Sequence, residues 1–218
     1  GIGGFFLTGV ILHAVGLQNT IDDSVRSTGM LGWIALLSFL PNVFLGLGPA
    51  VFSWWRGQGL RSDFGIAPRW RDLGIGLACG GLSLAVGLVL NAVLRAISPV
   101  PAGTPPLSDL LGGVSGRSTA LALFALFTLI GAPLTEELLM RGALWGALEH
   151  YRMPRYAILA LTALIFAFLH QEPDHTIALI CQGLAIGSAR MITGRTSTSM
   201  IAHATNNLIP ALTLFFAV

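Results

Sequence analysis

The sequence predicts an all-α fold, a polytopic bundle of about seven transmembrane helices around an intramembrane polar cavity. Of the 218 residues 54% are hydrophobic and 10% charged, and the mean hydropathy is +0.76. That is too apolar for a soluble domain and too long for a single anchor. The apolar residues also fall into separate runs, with loops rich in Arg, Pro and Gly between them. Finally, the stretch 131–148 holds adjacent carboxylates, Glu136 and Glu137, with Arg141 close behind. Ionisable groups at membrane depth cost roughly 2.5–3.5 kcal/mol each on insertion scales unless paired or hydrated, so they mark an interior site.

The runs are 3–17, 31–55, 73–94, 119–148, 156–170, 177–192 and 200–218. A span needs about 20 apolar residues, so the fifth and sixth are short and the fourth is long. The first lacks a basic start and a small-residue cleavage site before Gln18, and is expected to be a span rather than a signal sequence. With no Met ahead of Gly1, an upstream piece is also expected. The connection 96–118 holds Pro99, Pro101, Pro105 and Pro106, which predicts an irregular external loop. No repeat or second domain is visible. The chain is expected to be one transmembrane domain, 1–218, with a motif-bearing catalytic core over about 119–218.

Charge sets the expected orientation. Arg56, Arg61, Arg69, Arg71, Arg152, Arg155, Arg190 and Arg195 fall in even-numbered loops, against Arg26, Arg95 and Arg117 in odd ones. This bias predicts cytoplasmic even loops and an external C-terminus. Trp54, Trp55 and Trp70 beside those arginines predict a headgroup-level belt, with a partner-docking patch as the alternative. The net charge of +2 comes with no basic stripe, which argues against nucleic acid as a partner. Cys79 and Cys181 lie far apart in apolar runs without metal-site spacing, and read as small core residues.

Helical spacing sorts the polar residues. Glu137 and Arg141, four apart, share a face and can pair. Glu136 is turned by about 100° and is left for another task, giving one structural and one chemical acid. Gly131 and Pro133 predict a kink or water entry just upstream. Phe166 and His170 share a face, as do His203 and Asn207. At about 1.5 Å per residue, Glu136, His170 and Asn207 lie about 18, 21 and 15 Å deep, so one shared site is plausible. Taken singly, the acid pair could be a helix clamp, His170 an interface residue and Asn207 a helix bridge. His13, His150 and His175 show no such pairing and read as interface or packing residues.

Glu136-Glu137-x-x-x-Arg141, Phe166-x-x-x-His170 and His203-x-x-x-Asn207, in this order, resemble the signature of the CPBP family, the CAAX-protease and bacteriocin-processing intramembrane proteases. The run from Gln182 into the last motif is similar too. The resemblance covers about 132–207, and before it the chain is similar only in being hydrophobic with an Arg-rich loop.

The resemblance implies that Glu136 is the general base holding a water with His170, and that His203 and Asn207 stabilise the oxyanion. It places Glu137 and Arg141 behind Glu136 as orienting groups, with Phe166 beside His170. Family members are also labelled metalloproteases. In that case Glu136, His170 and His203 would be the zinc ligands, but no His-Glu-x-x-His is present and metal-free catalysis is favoured. The implied substrate is a lipid-modified or amphipathic peptide at the bilayer. An all-Arg, Ala- and Gly-rich composition suggests a bacterial cytoplasmic membrane. Two other functions fit the same residues: a non-catalytic immunity or scaffold protein of that family, and a proton-coupled transporter using Glu136, His170 and His203 as a relay. The broken-helix repeats that would favour the transporter are not visible.

Overall fold

A computed structural model describes residues 39–97, 119–170 and 172–216. Every element among them is helical, as expected where water cannot satisfy backbone groups and each N–H must find its partner within its own segment. They are α1 (Leu40–Arg56), the single turn α2 (Leu60–Asp63), α3 (Trp70–Ile97), the compound α4, α5 (Arg155–His170), a 3₁₀ turn (Pro173–His175), α6 (Thr176–Thr193), α7 (Thr196–Asn206) and α8 (Leu208–Phe216). Five pieces make up α4: Thr119–Leu126, a π segment Phe127–Gly131, Ala132–Glu137, a second π segment Leu138–Leu144, and Trp145–His150.

Three helices are long and apolar enough to cross a membrane: Trp70–Leu94, Ala122–His150 and Pro173–Thr193. Arg155–His170 is a shorter apolar helix. The expected seven spans are therefore not reached among the described residues. The run 3–17, His13 and the greater part of the loop 96–118 lie outside them.

Two expectations about individual runs need correction. The sixth run, expected short, reaches 21 residues because the 3₁₀ turn at Pro173 extends it. The seventh begins at Thr196 rather than Met200, because the Thr196–Ser199 stretch is buried instead of solvated. It also divides at Asn207. Pro210 has no N–H to offer the Asn206 carbonyl, while Asn207 N–H to His203 O and Ala211 N–H to Asn207 O, both 3.0 Å, carry the axis across.

Small residues set the close crossings, as is usual where lipid removes any hydrophobic drive between helices. On α3, Gly76 and Gly80 press against α7: a methyl group at Gly80 would stand 2.4 Å from the Ala202 carbonyl oxygen. On α6, Gly183 and Gly187 take the same part against Ala163 and Leu159 of α5. The interlock predicts that Gly80→Val destabilises by about 1–3 kcal/mol through overpacking. Gly81→Ala, with open space at its Cα, should be neutral or slightly stabilising. Thermal unfolding in detergent compares the two, and equal melting temperatures would refute the interlock. Cys79 packs on the cluster Ile186, Ala189 and Ala202, and both Cys79 and Cys181 are free thiols.

The loops before α3 and before α7 meet at one end of the bundle. Arg195 Nε donates to the buried Asp72 carboxylate at 2.9 Å, its other nitrogen reaches the Ala67 carbonyl, and Thr196 N–H donates to Phe64 O at 2.9 Å. Trp54, Trp55 and Trp70 are exposed near the same junction. Arg190, placed by its sequence position in a loop, is instead a buried side chain on α6 whose guanidinium turns back to the Gly194 carbonyl.

Candidate active site

Both carboxylates sit on the six-residue α-helical piece of α4, between the two π segments. The departure expected at Gly131 and Pro133 takes the form of a π turn rather than an open kink. Ala132 N–H bonds back five residues to Phe127 O, and Pro133 has no hydrogen, so Thr128 O is left without either neighbouring helical donor. Asn207 Nδ2 donates to that oxygen at 3.0 Å. At the second π segment, Trp145 N–H turns to the carbonyls of Met140 and Gly142. The buried Thr196 hydroxyl donates to Arg141 O at 3.2 Å. The helix carrying the last motif is thus pinned to the helix carrying the acids on both sides of the site, at carbonyls the π register exposes.

Between these pins the acids separate as their angular offset predicts. Glu137 and Arg141 are both fully buried, and Arg141 Nη1 donates to Glu137 Oε1 at 3.0 Å. Arg141 Nη2 donates to the Gly183 carbonyl at 2.8 Å, which ties the pair to α6. The same Glu137 Oε1 accepts from His203 Nδ1 at 3.0 Å. A carboxylate only accepts, so Nδ1 carries the hydrogen and the other ring nitrogen faces away from Glu137. That atom, Nε2, stands 4.0 Å from Glu136 Oε2. Glu136 keeps 18% of its side chain exposed, and its Oε1 accepts from Asn42 Nδ2 of α1 at 3.1 Å. His203 therefore bridges a sealed carboxylate and an accessible one.

Phe166 gathers the remaining groups. The His170 ring lies 4.4 Å from it, the His203 ring meets it edge-on at 5.6 Å, and the Arg141 guanidinium lies over it at 5.2 Å. His170 Nδ1 donates to the Phe166 carbonyl at 2.8 Å, so in the neutral ring Nε2 presents a lone pair. Cation–π attraction and edge-to-face contact add to the hydrogen bonds that hold these planes. All three sequence motifs thus share one cluster, with Glu136 touched by Asn42 and His203, and Asn207 anchored one helical turn beyond His203.

Several members of the cluster carried no signal in the motifs. Asn42 lies 94 residues from its partner. Ser83, fully buried on α3, donates to Asn206 Oδ1 at 2.8 Å, and Asn206 Nδ2 in turn donates to Asn207 Oδ1 at 3.2 Å. Lone polar residues inside apolar runs, and above all the Thr196–Ser199 stretch, are the patterns that point to them. His150 and His175 stand apart from the cluster: the first meets Tyr151 edge-on, and the second pairs with Glu172. Among the described residues no group of three or more His, Cys, Asp and Glu is placed to hold a metal ion, and this includes Glu136, His170 and His203.

Residues 118–209, which carry all three motifs but neither Asn42 nor Ser83, match the family model described as Rce1-like, Type II CAAX prenyl endopeptidase Rce1-like. No curated protein and no solved structure matches the chain.

Proposed function

From the match of residues 118–209 to the family model of Rce1-like type II CAAX prenyl endopeptidases, we propose that the chain is an intramembrane endopeptidase. It hydrolyses a peptide bond with a water activated by Glu136, and its substrate is a lipid-modified or amphipathic peptide. The observation that carries this reading is the placement of His203, hydrogen-bonded to buried Glu137 on one nitrogen and facing the accessible Glu136 on the other.

Glu136 and the free Nε2 of His170 hold the water in a hydrated pocket among α4, α5 and α7. As the water oxygen bonds to the scissile carbonyl carbon, Glu136 takes its proton and later gives it to the departing amine nitrogen. Negative charge gathers on the carbonyl oxygen, where His203, as an imidazolium with its Nδ1–H on Glu137, donates its Nε2–H, and the second amide hydrogen of Asn207 stabilises the charge as well. Donors aimed at developing charge in a dry site are worth several kcal/mol. Glu137, paired with Arg141, serves this step by holding His203 in one plane and supporting its positive charge, and the pair also stands behind Glu136 as an orienting group. Seven spans, with 3–17 the first, cytoplasmic even loops and a bacterial membrane complete the proposal. The contact between the loops before α3 and α7 supports placing these two even loops on one side of the bundle.

The test is cleavage of a quenched fluorescent peptide carrying a prenylated cysteine four residues from its end, with purified protein in liposomes. Mass spectrometry should find cleavage after that cysteine. Turnover should survive a strong chelator, as the metal-free reading drawn from the missing His-Glu-x-x-His requires. Chelator-sensitive turnover restored by zinc would overturn the metal-free mechanism. The immunity or scaffold alternative predicts no turnover on any such peptide.

A further inference from the structure

We infer that Asn42 is a positioning residue for Glu136, delivered to it from outside the family-matched segment. The inference rests on the protease reading and adds to it a contact that none of the three motifs contains.

Glu136 is adjacent in sequence to a carboxylate locked by an ion pair and an imidazole, yet it has no such lock of its own. Its carboxylate could rotate unless something held one oxygen. Asn42 Nδ2 donates to Oε1 at 3.1 Å, and Oε2 is then the oxygen turned toward His203 at 4.0 Å. An amide is suited to this task, since it donates to a carboxylate without neutralising it, as an Arg or Lys would.

The delivery is built into α1. Gly46, one helical turn beyond Asn42 and on the same face, lies so close to α4 that a methyl group there would stand 2.6 Å from Thr135 Cα and 2.7 Å from Thr135 Cβ. Thr135 immediately precedes Glu136, and its own hydroxyl is turned back to the carbonyls of Gly131 and Ala132. Gly46 therefore sets the depth at which α1 lies on α4, and with it the reach of Asn42. Gly48, two residues on, has open space around it and sets nothing.

The experiment measures kcat, KM and melting temperature for the full chain carrying Asn42→Leu, Asn42→Asp, Gly46→Ala and the Asn42→Leu/Gly46→Ala double substitution. Glu136→Gln serves as the inactive reference and Gly48→Ala as the unaffected one. Loss of one hydrogen bond to a charged group should lower kcat roughly tenfold or more in Asn42→Leu. Asn42→Asp, which sets an acceptor against an acceptor, should lose at least as much. KM and melting temperature should stay at their wild-type values in Asn42→Leu, which a merely structural role would not allow. The double variant should be no slower than the slower single, because once the amide is absent its depth ceases to matter. Wild-type kcat in Asn42→Leu, with Glu136→Gln inactive, would overturn this inference and leave the protease reading standing. A loss of kcat that follows a loss of melting temperature would overturn it as well. Full turnover by Glu136→Gln would remove the protease reading itself, and this inference with it.

Discussion

Arg141→Met is expected to destabilise the folded protein by about 3–5 kcal/mol, the range for a buried ion pair broken from one side. The guanidinium it removes is fully buried and joins Glu137 at 3.0 Å, the Gly183 carbonyl at 2.8 Å and the Phe166 ring. What remains is a sealed carboxylate that has lost its cation and a Gly183 carbonyl with no cation to meet. Glu137→Gln alone should also destabilise, by stranding the cation. The double substitution Glu137→Gln/Arg141→Met should recover part of the loss, because neither charge is left uncompensated. Activity should not recover with stability, since a Gln carbonyl at 137 still accepts from His203 Nδ1 but no longer supports a positive charge on that ring. Unfolding in a graded detergent mixture gives the stabilities, and peptide turnover gives the rates. Independent, additive losses in the cycle would show that the pair is not the coupled unit the geometry describes.

Glu136→Gln is expected to do the opposite, lowering kcat by roughly 100- to 10,000-fold, the usual contribution of a positioned general base, with little change in melting temperature. The side chain is partly exposed rather than sealed, and the carbonyl of a glutamine can still accept from Asn42. Packing and the polar contact both survive, but the group that takes the proton does not. The two neighbouring acids are thereby separable by experiment: substitution at 136 should act on rate alone, substitution at 137 on rate and stability together. Turnover within a few fold of wild type in Glu136→Gln would end the assignment of Glu136 as base and leave the scaffold alternative favoured.

That division was partly legible before any coordinates. The pairing of Glu137 with Arg141 follows from i, i+4 geometry, which is local and holds in any straight helix. So does the statement that Glu136 faces elsewhere. What it faces is not local, because an angular offset of about 100° names a direction and not a neighbour. The sequence places Glu137 and Arg141 behind Glu136, and the tertiary structure adds a partner for Glu137 that the sequence does not name, His203. The reason lies in α7, whose placement against α4 depends on Asn207 and Thr196 reaching carbonyls freed by the two π segments. Pro133 was visible as a breaker of the backbone ladder. That its effect would be a π register, leaving Thr128 O for a side chain 79 residues away, was not.

By itself the sequence determined the solvent, and through the solvent the helices, since an apolar chain in lipid must satisfy its backbone within each segment. It also determined which side chains share a face along each helix, and it supplied the three motifs in order. Tertiary structure alone decided which helix stands opposite which, and so the identity of every long-range partner: His203 for Glu137, Asn42 for Glu136, Ser83 for Asn206. The physical reason is one of range. Hydrogen bonds between near neighbours fix the turn of a helix, but its depth and crossing are set by small residues such as Gly80 and Gly46 at points of backbone contact, and those contacts exist only once two distant segments have met.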